Sequence, residues 1–163
     1  MNILYLHGLM SSNQSPKADW LRSKGCTVYS PKLNYKEDGK TIFNDLELLC
    51  EKEHIDLIVG SSMGGHLAFH LGNKYDIPTL LFNPSLAPNE IDKPGVREVE
   101  NDIVLHTVVI GKNDDVVIPE KTLNFLKDRK VNFIHYFEDN GHRTPLSIFQ
   151  KHFSLLIETK NTI

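Results

Sequence analysis

A chain of 163 residues with 40% hydrophobic and 24% charged side chains can build one ordinary core and is too apolar for a disordered polymer. A formal net charge of −3 without a basic stripe argues against nucleic acid as a partner, and no apolar run is long enough to span a bilayer. Cys26 and Cys50 read as buried free thiols, and the N-terminus enters a strand with no leader-like segment, so a cytoplasmic location is expected.

In chain order, Asn2–Leu6 predicts a buried strand, and His7-Gly8-Leu9-Met10 opens the loop after it. A helix is expected over Pro16–Lys24, a strand over Cys26–Ser30 and a helix over Thr41–Glu53. Ile55–Val59 predicts a strand that runs into Gly60-Ser61-Ser62-Met63-Gly64, with a helix over Met63–Lys74. A strand follows over Thr79–Phe82, then an irregular stretch, Asn83–Asp102, that either lines a pocket or is a surface loop. The remaining elements are a strand over Val104–Ile110, a helix over Pro119–Asp128, a strand over Asn132–Phe137 and a helix over Pro145–Glu158. In that last helix Leu146, Phe149, Phe153 and Leu156 form a core-packing stripe. Several strands are continuous apolar runs, the mark of a parallel sheet covered on both faces. No repeat, low-complexity tract or linker interrupts the alternation. A single α/β domain over residues 1–163 is expected, three layers deep, with about six parallel strands and helices on both faces.

Chemistry-bearing residues follow the strand ends, which is where such sheets place their sites. Gly60-Ser61-Ser62-Met63-Gly64 is a G-x-S-x-G pentapeptide between a strand and a helix. It fits a nucleophile elbow, with Ser62 held out on a sharp turn, and equally a Gly/Ser-rich turn when taken alone. An oxyanion hole would draw one N–H from Met63, the residue after the serine, and one from Leu9 in the His7-Gly8 loop. Gly111-Lys112-Asn113-Asp114-Asp115 supplies a loop acid. The G-x-x-D spacing favours Asp114 over Asp115 as the partner of a histidine. Asn140-Gly141-His142 is a turn carrying a candidate general base, His142. Ser62, Asp114, His142 is the chain order of the strand–elbow architecture. A shallow pocket bordered by Leu9, Met10, Met63 and Leu86 would suit a short acyl group. The Asn83–Asp102 stretch is too short for a helical lid domain.

Other chemistries fit less well. His66 and His70 stand four apart on a helix, but no Glu lies between them as in H-E-x-x-H and no third ligand is evident. Gly60–Gly65 matches neither glycine-rich phosphate-binding pattern. No cofactor or metal is therefore expected, and the expected partner is a small-molecule acyl compound. Thioester, amide and lactone substrates stay open, as does a binding protein with a vestigial triad, because one acyl-enzyme route serves every acyl class. Nothing in the patterning sets an oligomeric state.

Taken together, Tyr5-Leu6-His7-Gly8-Leu9-Met10-Ser11-Ser12 with Ser15 and Lys17, Gly60-Ser61-Ser62-Met63-Gly64-Gly65, Asn83-Pro84-Ser85-Leu86-Ala87-Pro88 and Gly141-His142-Arg143 resemble the α/β-hydrolase superfamily. More narrowly, they resemble the small YqiA-type bacterial esterases. The resemblance implies a compact core without the opening strand pair of larger relatives and a strand order 2-1-3-4-5-6. It also implies ester hydrolysis by Ser62, an Asp and His142, and with it a small-molecule acyl ester as the partner. The Asn113–Pro119 stretch is more like the wider superfamily than the small family.

Overall fold

The computed structural model describes residues 1–88 and 91–160. Its elements alternate along the chain: β1 (Asn2–Leu6), α1 (Pro16–Ser23), β2 (Thr27–Tyr29), α2 (Ile42–Lys52), β3 (Leu57–Ser61), α3 (Met63–Tyr75), β4 (Thr79–Phe82), β5 (His106–Gly111), α4 (Pro119–Asp128), β6 (Phe133–Glu138) and α5 (Leu146–Lys160). The six strands form one parallel sheet in the order β2-β1-β3-β4-β5-β6, the order implied by the resemblance.

The continuous apolar strands are explained by the two-residue period of the pleat, which sends alternate side chains to opposite faces. Leu4, Leu6, Ile58, Leu81, Val108 and Ile110 enter one core with α2, α3 and α4. Ile3, Tyr5, Leu57, Val59, Leu80, Phe82 and Val109 enter a second core with α1 and α5. Both faces are therefore covered, by three helices on one side and two on the other. α3 is buried from Met63 to Asn73, because the connection from β4 to β5 runs over it. That connection is tied down by Arg97 to Glu47 and Asn44, and by Asn101 to Asn73 and Asp76.

Two expected boundaries shift in ways that bear on function. β3 begins at Leu57 and runs through Gly60 to Ser61, two residues later than its apolar run, because Gly60 and Ser61 still pair with Leu81 and Phe82. Ser62 thus stands directly at the strand end. In α5 the core stripe holds for Phe149 and Phe153, with Leu156 packed at its margin. Leu146 lies outside it, at 37% exposure, since it sits on the first turn, beyond the sheet it was expected to cover. Among the described residues no helix is long and apolar enough to cross a membrane.

Candidate active site

Ser62 links β3 to α3 with φ 52 and ψ −115, a backbone conformation that costs a non-glycine residue on the order of 1–3 kcal/mol. Surrounding bonds hold it there. Its N–H donates to the Phe82 carbonyl at 3.0 Å, and its carbonyl accepts from Ser85 N at 3.0 Å and His66 N at 3.1 Å. The two glycines of the pentapeptide allow backbone to approach backbone. A β-carbon on Gly64 would overlap the carbonyls of Leu6 and His7, and one on Gly60 would overlap Gly64. The elbow is therefore wedged against the end of β1.

His142 reaches across from the loop after β6. Its Nε2 lies 2.9 Å from Ser62 Oγ, and its Nδ1 lies 2.8 Å from Asp114 Oδ2. A carboxylate can only accept, so the Nδ1 proton points at Asp114 and Nε2 is free to accept the serine hydroxyl proton. The Asp114 side chain is fully buried. Its other oxygen, Oδ1, accepts from Val116 N at 2.9 Å and Val117 N at 2.8 Å, which fixes the carboxylate's rotation. Asp115 beside it is exposed.

Asn83 connects these loops, a link with no signature beyond its position at a strand end. It sits at φ 44 and is buried. Its Oδ1 accepts from Gly111 N at 2.7 Å, at the end of β5. Its Nδ2 donates to the His142 carbonyl at 2.8 Å and the Gly141 carbonyl at 3.3 Å. One amide thus joins the ends of β4 and β5 to the loop that carries His142. His7 does comparable work for the first loop. Its Nε2 accepts from Leu33 N at 3.0 Å, so its proton is on Nδ1 and donates to the Gly8 carbonyl at 2.8 Å. Burial lowers its pKa and favours this neutral form.

Ser62 and His142 open into a cavity of about 500 Å³ that Leu9, Met10 and Met63 also line. Leu86 does not line it. That residue is 3% exposed and packed into the core beside α3 and α4, because the turn closed by Leu86 N on the Pro84 carbonyl aims it inward. Among the described residues of the Asn83–Asp102 stretch, Ser85 and Ile91 reach the cavity. Asn89 and Glu90, within that stretch, lie outside the described residues. Val116, Val117, Leu146, Lys17 and Arg143 also line the cavity and were not anticipated there. Each belongs to a loop or a first helical turn, where periodicity carries no information about direction.

His66 and His70 are buried, with ring centroids 4.9 Å apart. Desolvation lowers their pKa values to about 4 and about 3. Among the described residues no group of three or more His, Cys, Asp or Glu could hold a metal ion.

A family model described as "Uncharacterised protein family (UPF0227)" matches residues 2–130. Three solved structures are similar over nearly the whole chain. One, from Xanthomonas campestris, is described as belonging to the alpha/beta hydrolase superfamily. It is 16% identical with a TM-score of 0.72, covering 97% of this chain and 98% of that one. A second, MGS-MChE2, an alpha/beta hydrolase enzyme from the metagenome of Mar Chica lagoon sediments, is 20% identical with a TM-score of 0.76, covering 99% and 91%. A carboxylesterase from Bacillus cereus is 15% identical with a TM-score of 0.64, covering 96% and 87%. These likenesses establish an α/β-hydrolase fold.

Proposed function

The chain belongs to the UPF0227 family, and from that premise and the geometry at Ser62 we propose that it is a serine hydrolase, a carboxylesterase acting on short-chain acyl esters. The observation that carries the reading is the unbroken relay of 2.9 Å from Ser62 Oγ to His142 Nε2 and 2.8 Å from His142 Nδ1 to Asp114 Oδ2, on an elbow in strained backbone. A plain Gly/Ser turn has no need of any of these.

In this reading His142 accepts the hydroxyl proton as Ser62 Oγ attacks the ester carbonyl. The N–H groups of Leu9 and Met63 stabilise the oxyanion. The tetrahedral intermediate collapses, His142 returns its proton to the leaving alcohol, and an acyl-serine remains. Water then attacks that ester with His142 again as base, releasing the acid and the free serine. Asp114 holds the imidazole tautomer and stabilises its cation. No cofactor is required. One domain suffices, since one sheet supplies every group named. The two free cysteines suit a reducing, cytoplasmic setting.

The test is a series of p-nitrophenyl esters with the native protein and Ser62→Ala, alongside labelling by a fluorophosphonate probe. Native protein should label at Ser62. Its kcat/KM should be highest from acetate to hexanoate and fall for longer chains, since each methylene contributes ~0.8 kcal/mol only while the cavity encloses it. Ser62→Ala should lose on the order of 10⁴-fold or more in kcat. A variant that keeps a tenth of the rate, or native protein that does not label, would remove Ser62 from the chemistry. A preference for palmitate would overturn the short-chain assignment.

A further inference from the structure

The cavity at Ser62 carries two cations, and apolar side chains, Leu146 of α5 among them, line it as well. Lys17, in the first turn of α1, and Arg143, just ahead of α5, line it on the side of the sheet that α1 and α5 cover. Val116 and Val117 line it from the loop leading to α4, on the other side. No Asp or Glu lines it among the described residues, although the chain as a whole carries a net charge of −3.

Among the described residues neither cation is spent on an ion pair. Among the described residues Lys17 and Arg143 have no carboxylate partner, and the Lys17 ammonium instead stands over the Phe149 ring, 5.8 Å from its centroid. Lys17 is half-buried, and burial lowers its pKa, because part of its solvent is lost with no carboxylate beside it among the described residues. Such a group is costly in a folded protein unless something of opposite charge joins it. Ser11 also lines the cavity and adds a hydroxyl group of the kind that hydrogen-bonds to oxyanions.

We propose that Lys17 and Arg143 form a binding subsite for an anionic oxygen group, carboxylate or phosphate, carried by the substrate, so that the preferred esters are amphipathic: a short apolar part against Val116 and Val117, and an anionic part on the α1–α5 side of Ser62. The proposal rests on the hydrolase reading and narrows it from short acyl esters to anionic ones.

Matched pairs of esters test it. Monomethyl glutarate against methyl pentanoate puts a carboxylate in the acyl half. Acetoxybenzoate against phenyl acetate puts one in the alcohol half, and 2-acetoxyethyl phosphate against ethyl acetate puts a phosphate there. In at least one pair kcat/KM should favour the anionic member by about tenfold or more, and acetylcholine should be a poorer substrate than ethyl acetate. The preference should shrink with added salt. It should collapse toward one in Lys17→Met and in Arg143→Met, and persist in Lys17→Arg. A packing role for Lys17 over Phe149 would slow both members of a pair alike and leave their ratio intact. Arg143 is exposed, so its variant keeps the test valid if Lys17→Met misfolds.

Native protein that favours the neutral member of every pair, or variants that retain the preference, would overturn the subsite and leave the hydrolase reading standing. If no ester of either kind is cleaved, the hydrolase reading fails. The subsite is then decided by calorimetric titration of monomethyl glutarate into Ser62→Ala protein. Saturable binding that is lost on adding Lys17→Met supports it, and no binding overturns it.

Discussion

Asp114 and Asp115 are neighbours in sequence with opposite environments. Asp114 is buried, and its two oxygens take three hydrogen bonds, one from His142 and two from the backbone of Val116 and Val117. Asp115 is exposed. On the proposed chemistry Asp114→Asn should turn an N–H toward His142 Nδ1, force the wrong tautomer, and lower kcat on the order of 10²–10⁴-fold. Asp115→Asn should change kcat by less than about twofold, as expected of a solvated side chain away from the relay. Steady-state kinetics on one activated ester decides it, and a large loss for Asp115→Asn alone would reverse the assignment.

At the scale of elements, the relay depends on strand ends staying in register. β5 and β6 pair from His106↔Phe133 to Gly111↔Glu138, and Asn113 N then donates to the Asn140 carbonyl at 3.1 Å. The Asp114 and His142 loops therefore leave the sheet tied together. Asn83 adds the end of β4 to that junction through Gly111 and His142. Asn83→Ala should strand the buried Gly111 N–H and cost about 1–3 kcal/mol of stability. It should also loosen the His142 loop, so kcat should fall by on the order of tenfold with KM little changed. Thermal unfolding and kinetics on the same sample separate the two effects. A variant with lowered Tm and native kcat would limit Asn83 to a structural role.

Across the whole molecule, three neutral histidines are buried around α3. His66 and His106 have pKa values lowered to about 4, and His70 to about 3, with desolvation the main cause in each. Above pH 7 these groups are neutral in both folded and unfolded chains and contribute nothing. In the unfolded chain they titrate near ~6.5, so below that pH the unfolded state takes up protons that the folded state refuses. Stability should fall from about pH 6.5 toward pH 4, where the folded-state groups also begin to protonate. One such histidine weakens the fold by about 2 kcal/mol at pH 5. Carboxylates held low by partners, Asp56 and Glu138, add their loss below that window. Urea unfolding at pH 7.5, 6 and 5 should show a steadily lower midpoint, and a constant midpoint would mean these rings are hydrated in the native state.

What the sequence determined by itself was periodic or local. Apolar runs marked the strands, and turn residues marked where Ser62, Asp114 and His142 leave the sheet. The G-x-x-D spacing also singled out the acid that His142 touches. The parallel arrangement was legible because a strand buried on both faces has no polar face to alternate. The direction of irregular backbone was decided by tertiary structure. Leu86 turned into the core, Leu146 turned out of it toward the cavity, and Asn83 became the junction of three strand ends. Lys17 and Arg143, 126 positions apart in the sequence, came to line one cavity because α1 and α5 pack on the same face of the sheet. Strand and helix periods fix where side chains point only inside those elements. In loops and first turns the direction follows from long-range hydrogen bonds and packing, such as those from Asn83 to Gly111 and His142, which have no period to read.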